Sequence, residues 1–444
     1  MILKSLNKHI SNPYKSFQFF IFAEIFDYQK YMLRLLKDYA KLDKTILNLI
    51  TLQFFVHLIN LSFINILPLY MRVEGYNDSQ YAHFTSYRYL GILALALFLG
   101  MFIKGRKILP LLFVSAIGVP CFALLIVICT QLHAPAFLMI FHLLWGISFT
   151  FIQIPILPYI YRNSPENQHT RAITLNFATQ SIANIVSSFL ITILNGYNPI
   201  LFSERNMLLG ISILSFSGVY FIMQIPKNEN VPVIINKRNG LKDYDWKLIV
   251  KAMFPTVLFA IGAGFIIPFI SLFFVNVYHL STSSFSFLSF LTAILVTIMS
   301  MYAPKIKEGI GYYKAVPASQ IMAILTLLGM ATTQYYSSWN YAVYVAAIFY
   351  LLRQPFMSMA VPMILEVTMK YVGERNREMV SGLSSSIWSG AAYFSAITYS
   401  LLRGMNISYV NIFYITAVLY VFAVLFYKLL LKDYKQRELL GLID

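Results

Sequence analysis

Apolar residues along this chain come in runs long enough to cross a bilayer, with polar residues gathered in short breaks between them. Crossing a hydrocarbon core about 30 Å thick takes about 20 helical residues. Runs of that length recur at roughly 46–70, 82–103, 108–130, 135–161, 172–195 and 206–225. After a polar stretch they resume at roughly 250–277, 284–304, 314–335, 340–366, 380–402 and 409–431. The pattern predicts an all-α polytopic membrane protein, with twelve transmembrane helices as two pseudo-symmetric six-helix bundles. The runs are numbered here as segments 1 to 12.

The stretch between the halves, from Pro226 to Lys251, carries six basic residues among three acidic ones, and Pro226, Pro232 and Gly240 discourage a continuous helix through it. It reads as a basic cytoplasmic linker over 226–249, separating bundles at 45–225 and 250–432, with a cytoplasmic tail at 433–444. Residues 1–44 hold one apolar cluster, Phe17 to Phe26, interrupted by Glu24 and too short to span. They are expected to form a cytoplasmic extension, in its sharper version an interfacial helix.

Composition narrows the class. Only 12% of residues are charged and 58% are hydrophobic, whereas a soluble domain carries about a quarter charged residues. The net charge of +16 does not indicate nucleic acid, because such binders cluster basic residues on one folded face and these lie in the breaks. The N-terminal extension, the breaks after segments 2, 4, 6, 8 and 10, and the tail hold 29 of the 34 Lys and Arg; the alternate breaks hold Arg72, Arg205 and Arg403. Positive loops stay cytoplasmic, so both termini are expected there, in the plasma (cell inner) membrane. Cys121 and Cys129 lie eight residues apart in one segment, about 12 Å along a helix, too far for a disulfide. No metal-ligand spacing and no nucleotide-binding loop occurs, so no cofactor is expected.

The halves echo one another. Phe63, Ile64 and Ser79 recur as Phe265, Ile266 and Ser281, and the spacing Pro155, Arg171, Gly196 recurs as Pro362, Arg377, Gly404 with slippage of a residue or two. The break GMFIKGRK, Gly100 to Lys107, has a counterpart in APKIKEGIGYYK, Ala303 to Lys314; SPENQHTRAITLNFATQ and VGERNREMVSGLSSS lead into segments 5 and 11. In these features the chain, over about 45–432, resembles the major facilitator superfamily of secondary transporters. The resemblance implies alternating access about a midplane site, with segments 1, 4, 7 and 10 lining the cavity, 2, 5, 8 and 11 flanking it, and 3, 6, 9 and 12 facing lipid. The family's motif after helix 2 has an aspartate four residues beyond its glycine. Here Lys104 stands at that position after Gly100, and the basic part shortens to Gly105, Arg106 and Lys107. Gly100, Lys104, Arg106, Arg171, Glu366 and Arg377 are the expected gating residues.

An unpaired polar group in hydrocarbon costs several kcal/mol, so polar side chains inside a span should face the bundle interior or a wet cavity. Gln53, His57 and Asn60 share a face of segment 1; His142, Trp145, Phe149 and Gln153 share one of segment 4; Asn176, Gln180, Asn184 and Ser188 repeat every four residues in segment 5. Tyr350, Arg353 and Gln354 lie near the centre of segment 10, whereas the centre of segment 7, around Gly262, Gly264 and Pro268, is almost wholly apolar. Each stripe reads either as a cavity wall or as hydrogen bonding between packed helices. Ser381, Ser385 and Ser389 read as a close-packing surface. Arg353 is the foremost candidate for gripping a carboxylate or phosphate; Arg88 either does the same or snorkels outward. No Asp or Glu lies mid-span, and Glu366 is expected to pair with a loop base such as Arg171. Proton coupling would fall to His57, His142 or Glu366, and an exchanger needs none.

The sequence thus predicts a secondary transporter, not an enzyme, moving a small polar organic solute with some preference for an anion. Its partners are that solute, a coupling proton or counter-solute, and the lipid bilayer. Substrate-binding candidates are Arg353, His57, Asn60, Gln53, His142, Gln153, Trp145, Tyr350, Arg88, Asn176 and Gln180. The alternatives are an exporter of amphiphilic or drug-like compounds, favoured by the 16% aromatic content, an integral-membrane transferase, and a transport-inactive sensor. The topology is testable with single cysteines in a background where Cys121 and Cys129 are serine. A membrane-impermeant maleimide on intact cells should label Ser338→Cys, between segments 9 and 10, and should label Asn239→Cys only after permeabilisation. The reverse pattern would invert the orientation.

Overall fold

Hydrogen-bonding side chains at the breaks set where helices begin. Asp43, Asp245 and Ser281 each accept a bond from a backbone amide two or three residues ahead, satisfying donors that a helix start leaves free. The computed structural model describes residues 42–103, 105–165, 168–231 and 244–440. Residues 1–41 of the expected extension, 232–243 of the linker and 441–444 of the tail lie outside the described residues. So do Lys104 and the side chains of Arg377 and Ser381.

In the first half, α1 is Lys44–Val73, α2 Asp78–Phe102, α3 Leu109–Gln131, α4 Pro135–Gln153 with Ile156–Asn163, α5 His169–Tyr197, and α6 Glu204–Ser215 with Ser217–Met223. The second half holds α7, Trp246–Ile266 with Ile270–Tyr278, α8 Thr282–Ile310, and α9 Tyr312–Thr332. One helical stretch, Ala342–Gly404, bends at Gly373, whose φ of 71° and ψ of 167° are non-helical. It is α10 as far as Gly373 and α11 over 374–404. The last helix, α12, is Tyr409–Leu439. Eleven of the described helices are long and apolar enough to cross a membrane by length and composition; α11 is not among those eleven and brings the number of helices so labelled to twelve. Three expected continuous spans are interrupted: α6 at Phe216, with no proline there, α4 after Gln153, just before Pro155, and α7 at 267–269, around Pro268. Proline lacks the amide that would continue the ladder. Pro362, the sequence counterpart of Pro155, stays inside α10.

The halves are joined at the end away from the linker, along two matching seams. Where α2 meets α11, Ser79 and Ser400 exchange bonds, each hydroxyl donating to the other's carbonyl at 2.8 Å. Beside them the Asp78 carboxylate takes Arg403 Nη2 at 3.0 Å, Asn276 Nδ2 at 3.0 Å and the Tyr409 hydroxyl. Where α5 meets α8, the Ser283 hydroxyl donates to the Thr192 carbonyl at 2.8 Å, the Thr282 hydroxyl donates to Glu204, and the rings of Phe189 and Phe290 lie 5.4 Å apart. The sequence echo has a structural counterpart here: Gly196 faces Ser283 across one seam and Gly404 faces Ser79 across the other.

At the linker end, the hydrogen bonds among the described residues stay within halves. Glu229 accepts from the amides of Ile108 and Leu109, and Arg162 lies 3.5 Å away. An acid thus sits at the start of α3, where the exposed amides favour negative charge, and it comes from the linker rather than from the Lys104 position. Asn376 accepts from the Asp245 amide at 3.1 Å, tying the start of α7 to the start of α11.

Asp78 is the node of the outer seam, so Asp78→Ala strands a mostly buried Arg403. Breaking such a pair is expected to cost about 2 to 3 kcal/mol. In detergent the variant should melt earlier. A cysteine at Ser400 should react faster with a thiol reagent applied from the far side than it does with Asp78 present. Unchanged melting and reactivity would show that the node does not hold the seam.

Candidate functional site

In the first half the candidate side chains meet because α2 and α4 touch backbone to backbone. A Cβ on Gly146 would lie 2.0 Å from the Arg88 carbonyl oxygen, so only glycine permits the contact. It buries Arg88 to 4% exposure. The guanidinium lies 4.0 Å over the Trp145 ring and donates to the Asn60 amide oxygen. Arg88 therefore does not snorkel outward, because an aromatic face and an amide hold it inside. His142 is fully buried and its Nδ1 meets the Leu138 carbonyl at 2.9 Å. On α1, Gln53 Nε2 and His57 Nε2 are 3.1 Å apart, with the His57 ring edge-on to Phe149.

The second half holds a cavity with about 920 Å³ of empty space, open solvent included. Arg353, 2% exposed, lies at its deep end. Nη2 reaches the Tyr420 hydroxyl and Nη1 the Gln354 amide oxygen, each at 3.4 Å, and Nε has no partner. Among the described residues no carboxylate lies within ion-pair distance of it. Tyr420 can reach Arg353 because α7 presents Gly262: a Cβ there would be 2.5 Å from the Tyr420 ring. The apolar centre of α7 is thus a packing requirement of the site. From Arg353 the lining follows α10 through Met357, Val361 and Leu365 to Met369, 16 residues or about 24 Å of helix, towards the linker end.

The candidates therefore divide. Gln53, His57, Asn60, Arg88, His142 and Trp145 form one connected cluster, and Arg353 stands in the cavity of the other half. Tyr350 packs against Phe274 and Phe285 and does not line that cavity. Gln153 and Gln180 are exposed and Asn176 is buried. Further along α5, Ser188 accepts from Asn65 Nδ2 at 3.3 Å, so that end of the stripe joins helices. Gln53, His57, Arg88, His142, Trp145, Asn176 and Arg353 each bury a polar atom without a partner. Native proteins rarely leave such atoms unmet except where water or a ligand completes them.

Among the expected gating residues, Glu366 binds Lys307 Nζ at 2.9 Å and Lys370 at 3.4 Å. Arg171 is exposed, and the expected Glu366–Arg171 pair is replaced by one with α8. Bonds from Tyr312 and Glu366 push the Lys307 ammonium above its usual range. Arg106 lies 4.1 Å over the Phe102 ring, and no heavy atom would meet a Cβ on Gly100 within 4 Å. Two helices expected to face lipid contribute to the cavity: α9 through Gln320, 2% exposed with Oε1 unpartnered, and α12 through Tyr420 and Tyr427. The signal for Gln320 was present, a lone amide in the apolar stretch of segment 9. Tyrosines on α12 carried none, because tyrosine is equally common where helices meet the membrane surface.

The model of the Major Facilitator Superfamily matches residues 13–188 and 49–397. Among solved structures, a D-xylose–proton symporter superposes with a TM-score of 0.70 at 12% identity, covering 86% of this chain and 96% of its own. A bacterial homologue of the human lysosomal transporter Spinster, inward-facing and occupied, gives 0.65 at 12% identity over 87% and 96%. A bacterial homologue of the iron transporter ferroportin, also inward-facing, gives 0.65 at 14% identity over 88% and 98%. No curated protein sequence matches the chain. At these identities the structural likeness speaks for the fold alone, and the family match extends over most of the sequence. The chain is an integral membrane protein and belongs to the Major Facilitator Superfamily of transporters.

Proposed function

We propose that this protein is a secondary transporter of the cytoplasmic membrane that carries a small organic solute bearing a negative charge. It works by alternating access between the two halves, with both termini and the linker on the cytoplasmic side. The observation that carries the reading is Arg353: a guanidinium 2% exposed, at the deep end of a cavity, with two long bonds to neutral oxygens and an unpartnered Nε. A buried charge needs a partner, and a carboxylate or phosphate supplies two parallel bonds to such a fork.

The seams give the reading its conformational side. Asp78, Ser79, Glu204 and Ser283 hold the outer ends together, whereas the cavity runs to the linker end, which is the arrangement of an inward-facing state. Outward opening requires both seams to part. The structural neighbours carry sugars and metals according to their descriptions, so likeness to them names no cargo. Among the described residues no three His, Cys, Asp or Glu gather as metal ligands, and metal cargo has no support from this site. The rival, an exporter of amphiphilic cations, draws on the aromatic and methionine side chains of the same cavity, but such a substrate would set its charge against Arg353.

Thermal melting of the purified protein against sugars, carboxylates, phosphates and amphiphilic cations tests the assignment. A ligand at 100 times its Kd should stabilise the fold by about 2.7 kcal/mol. Anions should do so in the native protein and fail in Arg353→Ala. Stabilisation by cations that persists in Arg353→Ala would replace the anion reading with drug export.

A further inference from the structure

We infer that the cargo is an amphiphilic anion, its acidic head on Arg353 and an apolar body lying along α10 towards the linker end. The inference rests on the proposed anion site and deepens it. Among the described residues the only charged group in the cavity wall is Arg353, held by Gln354 and Tyr420; its Nε, with Gln320 Oε1 and, beside Met369, Thr368 Oγ1, is a buried polar atom without a partner. Apart from Ser358, Thr368 and Ser384, the rest of the wall is mostly apolar. Met253 and Phe259 from α7, Met357 and Met369 from α10, Trp388 from α11 and Tyr427 from α12 line it. The hydroxyl of Tyr427 is already bonded to Thr256 at 3.0 Å.

Shape and charge point the same way. From Arg353 to Met369 the lining covers about 24 Å of helix, much longer than a small dicarboxylate or a monosaccharide acid. Such a solute would fill the head end and leave the methionine and aromatic wall wetted. Thioether side chains adapt to flexible apolar groups, and burying apolar surface is the main source of affinity for a chain. A neutral amphiphile would leave Arg353 unpaired, and a cationic one would be repelled by it. Carboxylate and phosphate heads suit the guanidinium fork equally, so the head group is a question for experiment.

Trp388 supplies an internal probe, since it is one of only four tryptophans and lines the cavity. With the protein in phosphatidylcholine nanodiscs, 12-bromododecanoate should quench its fluorescence saturably, and Trp388→Phe should lose that component. Competition by unbrominated carboxylates should strengthen about fourfold per added methylene at equal free concentration, which is 0.8 kcal/mol per CH₂ converted. Arg353→Gln should weaken binding at least tenfold. Should that variant fail to fold, Met357→Gln keeps the charge and should flatten the chain-length dependence. Dodecyl phosphate competing as well as dodecanoate would support the inference and broaden the head group. Acetate and succinate competing as strongly as dodecanoate would overturn it and leave the anion site standing. Dodecyltrimethylammonium competing equally, with Arg353→Gln without effect, would overturn both.

Discussion

Two guanidinium groups lie inside the helical bundle with no carboxylate beside them among the described residues, and the arrangement around each follows from that constraint. In hydrocarbon a charge must be met by something. Arg88 is met by an aromatic face and an amide, and α2 must touch α4 at Gly146 for Trp145 to reach it. Arg353 is met less completely, and α7 must give up its side chain at Gly262 for Tyr420 to come within reach. One arginine is thereby built into the structure. Both leave Nε without a partner, but Arg353 lies in the wall of a much larger cavity than the small one beside Arg88, and this difference is the ground for proposing it as the binding residue.

The seams on the far side and the cavity on the near side belong to one mechanical picture. The polar ties between halves lie along α2/α11 and α5/α8, and they are short-range bonds among hydroxyls, backbone carbonyls, the carboxylates of Asp78 and Glu204, one amide and one arginine. The proposed rocking of the halves would exchange such contacts for water, because each partner lies near a helix end where solvent can replace it. Nothing comparable joins the halves through the described residues at the linker end, where Glu229 and Asp245 bind within their own halves. Around the short breaks at that end, Arg106 stacks on Phe102 and Lys307 pairs with Glu366, each within its own half.

Much of the fold was legible in the sequence because the bilayer imposes a length on each span. That signal is set by composition over about twenty residues and tolerates local irregularity. It does not register breaks such as those beside Pro155 and Pro268, and Pro362 shows that the same residue in a similar place can leave a helix whole. At the site, polar side chains in apolar spans were readable one helix at a time: Asn60, Arg88, His142 and Trp145 do meet. Which helix they meet was not readable, since that depends on glycines whose role appears only when two backbones approach. Gln320 was passed over because a lone amide has no stripe, and Tyr420 because tyrosine has other uses in a membrane. The expected Glu366–Arg171 pair failed because α8 runs past the span and brings Lys307 to the same level.

The central claim is that the negative charge of the substrate completes the coordination of Arg353. The most direct test compares a bound carboxylate with its uncharged carboxamide of the same shape, measured by uptake or binding in proteoliposomes. Losing one charge-assisted pair at a buried cation should weaken binding by 2 kcal/mol or more, a factor of about 30, with the difference abolished in Arg353→Gln. Equal binding of acid and amide by the native protein would contradict the account.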